Sequence, residues 1–117
     1  MKLVISDNSG NKRLKAIFTE DGKKVKTITF GMKGSKGTFA DGATEQKKKA
    51  YLARHSKMGE DWAKSGLKTA GFMSRWILWS DRTNAKIKAN VSRISGIPSK
   101  DISINFNRIK VEKSKDD

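Results

Sequence analysis

The chain contains no cysteine, one histidine and one proline. Without thiols there can be no disulfides, thiolate zinc sites or cysteine nucleophiles. Its lone histidine, His55, argues against a metal nuclease, which needs several histidines or carboxylates converging on one ion. No apolar run is long enough to span a bilayer. The opening "MKLVISDNSG" is too short and too polar for a signal peptide, which points to an intracellular setting. Apolar residues make up only 35% of the 117 positions, so one domain with a small core built from a few large side chains is expected. Acids are scarce as well. Twelve Asp and Glu face 26 Lys and Arg, a formal net charge of +14. Self-repulsion at that charge opposes compaction unless an anionic partner relieves it, either nucleic acid or an anionic membrane surface.

"RLKAIFTEDGKKVKTITF", residues 13–30, has the pattern of a β-hairpin turning at Asp21-Gly22, because both turn positions need positive φ. An uninterrupted register places Glu20 opposite Lys23, Phe18 opposite Val25 and Ala16 opposite Thr27. The other face then carries Lys15, Ile17, Thr19, Lys24, Lys26 and Ile28. "KLVIS", residues 2–6, adds a short strand. "GMKGSKG", residues 31–37, is a basic glycine loop without the Gly-Lys-Ser/Thr ending of a nucleotide-binding P-loop. It is either a phosphate-approaching loop or a connector.

The helical middle spans about 44–96. "TEQKKKAYLARHSKM", residues 44–58, reads as a helix capped by Thr44, with Tyr51, His55 and Met58 on one stripe and lysines around much of the rest. "TAGFMSRWILWS", residues 69–80, holds two of the three tryptophans. Phe72, Trp76 and Trp79 repeat at i, i+4, i+7, and Met73, Ile77 and Leu78 widen the stripe, the pattern of a buried helix rather than of isolated base-stacking aromatics. Within it, Arg75 either surfaces beside the aromatics, pairs with a buried acid, or stacks on a tryptophan. "NAKIKANVSRIS", residues 84–95, repeats the helical pattern with Ile87, Val91 and Ile94, and "GIP" stops it. "DISINFNRIKVE", residues 101–112, alternates as a strand with a phase shift at Asn107-Arg108, and the tail 113–117 is expected to be disordered. The fold class that follows is α+β, with an N-terminal hairpin and a C-terminal strand packed against two to three short helices. Phe18, Tyr51, Trp62, Phe72, Trp76 and Trp79 are the expected core.

The segments "FGMKG" (30–34), "KKKAYLARH" (47–55), Trp62 and "SGLKTAGFMSRWILW" (65–79) are similar to a family of small basic proteins of unknown function encoded by large nucleocytoplasmic DNA viruses. The resemblance covers residues 30–79. This chain departs from the family pattern in having "SKGTF" where an aspartate–tyrosine pair follows the "FGxKG" element, and Met73 where a tryptophan stands. The resemblance implies a giant-virus source and a DNA-associated protein located in the virion, the viral factory or the host nucleus. It brings no catalytic mechanism.

The expected function is a non-enzymatic, largely sequence-independent double-stranded DNA-binding protein acting in genome compaction or control of DNA access. Its affinity would come from phosphate contacts and fall steeply with salt. The charge pattern alone does not separate DNA from RNA, and duplex DNA is favoured by the viral resemblance. The alternative is a structural virion protein contacting capsid or membrane. The expected contacts are Lys24, Lys26, Lys33, Lys36, Lys47, Lys48, Arg54, Lys57, Lys64, Lys68, Arg75 and Arg82. No cofactor or metal is expected, since the adjacent Glu60 and Asp61 read as carboxylates offsetting nearby lysines. His55 reads as a packed or capping residue. A homodimer pairing through the exposed strand 101–112 is a further expectation.

Overall fold

The computed structural model describes residues 1–111. The expected disordered tail, 113–117, and the last residue of the expected C-terminal strand lie outside the described residues. Four strands form one sheet: β1 (Lys2–Asp7), β2 (Lys12–Glu20), β3 (Lys23–Met32) and β4 (Ile102–Asn105), in the order β3-β2-β1-β4. The helices are α1 (Glu45–Ser56), α2 (Ala70–Met73), continued by a π-helical turn Ser74–Leu78, and α3 (Asn84–Ser95). The architecture is α+β, with N-terminal strands and a C-terminal strand in one sheet.

The Asp21-Gly22 turn forms as its sequence dictates, with φ of 50° and 76°. Glu20 lies opposite Lys23 and Thr19 opposite Lys24, but the register then slips so that Phe18 meets Lys26 and Ala16 meets Ile28. Val25 is the extra residue, a β-bulge. The expected pairings of Phe18 with Val25 and Ala16 with Thr27 are therefore replaced, and Ile28 leaves the lysine face where the uninterrupted register put it. The reason is burial. The shift turns Ile28 and Phe30 to the same side as Leu14, Ala16 and Phe18, all in the core, instead of Thr27 and Thr29.

β1 lies inside the sheet, antiparallel to β2 and parallel to β4. On the sheet's inner face, Leu3, Ile5, Leu14, Ala16, Phe18, Phe30, Ile102 and Ile104 meet Phe72, Met73, Ile77, Leu78, Ile87 and Val91. Gly31 has φ +81°, which strains any L side chain, and a Cβ there would crowd Leu78 Cδ1 at 3.1 Å where β3 meets the π turn. Each helix starts at a threonine whose hydroxyl accepts a backbone N–H: Thr44 from Lys47, Thr69 from Phe72, Thr83 from Lys86. Such a cap contributes roughly 0.5–2 kcal/mol.

Two expected elements differ. The strand at 101–112 is paired only over Ile102–Asn105. Beyond it the backbone is held by side chains: Asn107 N–H donates to the Asp7 carboxylate and Ile109 N–H to Asp41. The tryptophan segment is one α turn followed by a π turn, closed by Trp79 N–H to Ser74 C=O at 3.1 Å. The wide turn changes which side chains face inward. Phe72, Met73, Ile77 and Leu78 are buried, while Trp76 and Trp79 flank the core partly exposed. Trp62 is partly exposed and outside the main cluster, and Tyr51 is buried outside it, against Trp79.

One ion pair ties the sheet to the loops. Arg13 of β2 donates from both terminal nitrogens to Asp41, at 2.8 and 2.6 Å, and a further N–H reaches Asn107 C=O. The Asp41 side chain is fully buried and also accepts from Thr38 N–H, Thr38 hydroxyl and Ile109 N–H. Burial pushes its pKa up, but the hydrogen bonds from Arg13, Ile109 and Thr38 outweigh burial and hold it below the ordinary value. A depressed folded-state pKa means that the stability it contributes is complete above about pH 4, the ordinary carboxylate range, and is lost as pH falls through the lower folded value. Asp41→Ala, which strands a buried guanidinium, is expected to cost about 3–5 kcal/mol in urea denaturation at pH 7. Pairing Asp41→Leu with Arg13→Met is expected to recover only part of that loss, since the Thr38 and Ile109 N–H groups still lose their acceptor, and to reduce the fall in stability below pH 4.

Candidate functional site

Several acids among the described residues are occupied within the chain. Asp41 pairs with Arg13 and Glu60 with His55, whose Nδ1 lies 3.0 Å from Glu60 Oε2. Asp7 accepts from Asn107 N–H, Asp61 from Ala63 N–H and the Ser65 hydroxyl, and Asp81 from Arg82 N–H. These carboxylates therefore go to backbone and hydroxyl donors rather than to lysines. Among the described residues no group of three or more His, Cys, Asp or Glu gathers where it could hold a metal ion. Glu60 and Asp61, adjacent in sequence, turn to different partners.

Several cations expected at a DNA surface have structural partners instead. Arg75 packs 4.2 Å from the Trp76 ring and 5.7 Å from that of Trp62, and donates to Trp79 C=O at 2.9 Å. It thus stacks on tryptophan and has no buried acid partner among the described residues. Burial lowers its pKa, an effect Tyr51 partly opposes, but a guanidinium remains charged. Arg82 and Lys48 flank Phe39, at 4.1 and 4.6 Å from the ring, and bond to the carbonyls of Ala43 and Ser80. Lys68 sits 6.0 Å from the Phe18 ring, and Lys64 lies against Gly96 at the C-terminus of α3, where the helix dipole favours a cation.

The remaining expected cations are exposed in two regions. The first is the hairpin and the open face of the sheet. Cross-strand pairing places Lys2, Thr19 and Lys24 in one row and Ser6, Lys15 and Thr29 in another, with Val4, Ile17 and Thr27 between them. Lys2 and Lys15 were missed by the sequence reading as site residues; Lys15 shares the hairpin's open face with Lys24, while Lys2 joins Lys24's row only because β1 pairs with β2. The bulge separates the expected neighbours Lys24 and Lys26, since Lys24 shares the open face with Thr19 and Lys26 the inner side with Phe18. The second region is the glycine loop, with Lys33 and Lys36, beside α1, with Lys47, Arg54 and Lys57, all of them exposed.

Between the glycine loop and α1 opens a cavity of about 430 Å³ bounded by the edge of β3, the start of α2 and the π turn. An aromatic column crosses its wall. Trp79 stacks on Tyr51 with centroids 4.5 Å apart and planes within 7°, and Tyr51 stacks on His55 at 4.2 Å. Glu60 fixes the end of the column, receiving the Trp62 ring N–H at 3.0 Å as well as meeting His55. Both faces of Tyr51 are thus covered. Its buried hydroxyl finds no hydrogen-bond partner among the described residues. Burial first, and then the Glu60 charge, push the phenol's pKa up, so it stays a proton donor at neutral pH. Sequence spacing put Tyr51 and His55 on one stripe but carried no sign of Trp79 or the loop meeting them.

Comparison with known proteins gives a consistent picture. The sequence profile of a family described as "Family of unknown function (DUF5754)" matches residues 2–55, taking in β1 to β3 and most of α1. An uncharacterized protein of Acanthamoeba polyphaga mimivirus is 38% identical over 82 residues, covering 68% of this chain and 80% of that protein. No solved structure matches significantly.

An unpartnered buried hydroxyl costs stability, about 1–3 kcal/mol of desolvation. Tyr51→Phe, which keeps both ring stacks, is therefore expected to leave the thermal midpoint unchanged or to raise it, read by circular dichroism. Tyr51→Ala, which removes the middle of the column, is expected to lower it clearly.

Proposed function

The chain belongs to a family of unknown function found in giant viruses, and from that premise we propose that it is a non-enzymatic protein that binds double-stranded DNA largely without sequence preference. Its role would be to compact the viral genome or to govern access to it. The observation that carries this reading is the disposition of charge. A net +14 is set against few acids, of which Asp7, Asp61 and Asp81 bond to the chain's own N–H and hydroxyl groups. Lysines are thereby left to face solvent on the open sheet face and around the glycine loop.

On the open face, Lys2, Lys15 and Lys24 stand among threonines and serines, short side chains that let a phosphate backbone approach closely. The exposed loop and helix cations, Lys33, Lys36, Arg54 and Lys57, would supply further phosphate contacts. Arg75, Arg82, Lys48 and Lys64 drop out as principal contacts in this reading, because aromatic rings, carbonyls and a helix end already hold them. Contacts of this kind neutralise phosphates and release counterions, which makes affinity salt-dependent and blind to base identity.

Fluorescence anisotropy with unrelated duplexes is the test. The same affinity is expected for each, with log Kobs falling against log salt at a slope of about −0.9 for each phosphate neutralised. Replacing Lys2, Lys15 and Lys24 together by alanine is expected to flatten that slope by about 2 to 3. Tight binding to one sequence only, or a slope insensitive to the triple substitution, would overturn the reading. Retention in purified virions that survives nuclease would point instead to a capsid- or membrane-associated role.

A further inference from the structure

The cavity beside α1 shares Lys36 and Arg54 with the proposed duplex surface but adds two groups that duplex contacts do not use, the Tyr51 hydroxyl and the Trp79 ring. Its volume of about 430 Å³ falls in the range of small-molecule sites, roughly 300–1,000 Å³, and exceeds what a bare phosphate would fill. Ser35 and Lys36 of the glycine loop line one side and Arg54 of α1 another, so its charged lining offers cations and a hydroxyl to an anion. Tyr51 is only 5% exposed, yet its hydroxyl lacks a partner among the described residues. Buried polar groups in folded proteins are almost always hydrogen-bonded, and an exception calls for a reason. Here the ring is clamped on both faces, so only the hydroxyl is left to act. The same lining also carries Trp79, an aromatic surface that suits a planar ring.

We infer that this cavity binds a nucleoside monophosphate unit, its phosphate meeting Arg54, Lys36 and the Tyr51 hydroxyl. The unit could come from a free nucleotide or from an unpaired nucleotide at a strand end. The inference goes beyond duplex binding and is separable from it, because Tyr51 is enclosed and takes no part in the open-face contacts.

The full chain is titrated with adenosine 5′-monophosphate, adenosine and inorganic phosphate, followed by tryptophan fluorescence and calorimetry. The monophosphate is expected to bind at one site at least about tenfold tighter than either fragment. Tyr51→Phe is expected to weaken it about tenfold, the loss of one hydrogen bond to a charged group, while blunt-duplex affinity stays unchanged. A duplex carrying one unpaired 5′-phosphorylated nucleotide separates the sources. Tighter binding than to the blunt duplex, lost in Tyr51→Phe, assigns the strand end, and equal binding assigns the free nucleotide. Monophosphate binding no tighter than phosphate, or indifferent to Tyr51→Phe, overturns the inference. Monophosphate binding without blunt-duplex binding would sink the duplex reading and leave this one standing.

Discussion

The pairing of Arg13 with Asp41 is the constraint on which the arrangement of loops depends. It joins β2 to the turn at Thr38–Asp41 and, through Ile109 and Asn107, to the segment after β4. Two charges in a nearly water-free position are tolerable because every acceptor position of the carboxylate is met and the guanidinium fork engages it bidentately. With that anchor set, Arg108 can bridge Ala40 and Asn84 and cover Phe106 at 4.1 Å. The glycine loop between β3 and the anchored turn is then held at both ends beside α1.

Local signals were legible in the sequence, and long-range ones were not. Asp21-Gly22 declares its turn because two positive φ values are a property of those residues alone. Thr44 declares its cap, and Ile87 and Val91 their buried stripe, for the same kind of reason. The bulge at Val25 was hidden because it is selected by what Ile28 and Phe30 meet across the core, not by the hairpin itself. The π turn was hidden likewise: an α-helical stripe through Phe72, Trp76 and Trp79 satisfies the pattern, and only packing against the sheet favours Ile77 and Leu78 instead. Arg13 looked like one cation among 26. Nothing near it in sequence marks its partner, which lies twenty-eight positions on.

The candidate site divides along the same line. That the surface would be cationic followed from composition. Which cations are available did not, because the aromatic residues of a small core need covering and arginines and lysines do much of it. Phe39 lies between Arg82 and Lys48, and Arg75 is set against Trp76 with Trp62 nearby. A long basic side chain can shield a ring with its stem and still keep its charge near water. In a chain with little apolar mass, part of the positive charge thus serves as the outer layer of the fold. The aromatic column of Trp79, Tyr51 and His55 extends this economy, fastening α1 through one buried residue while its outer surface stays polar.

The position of β1 bears on how the chain is made. It is the first strand, yet one of its two edges is completed only by β4, which begins at Ile102. On the ribosome the hairpin and β1 can assemble early, but the second edge must wait until residues 102–105, about a hundred positions on, have emerged. Until then a row of unpaired amides and carbonyls is open to any passing strand. Lys2 at the start of β1, and the charge carried throughout, would hold nascent copies apart during that interval, so the same electrostatics suited to meeting a polyanion would also keep unfinished molecules from meeting one another.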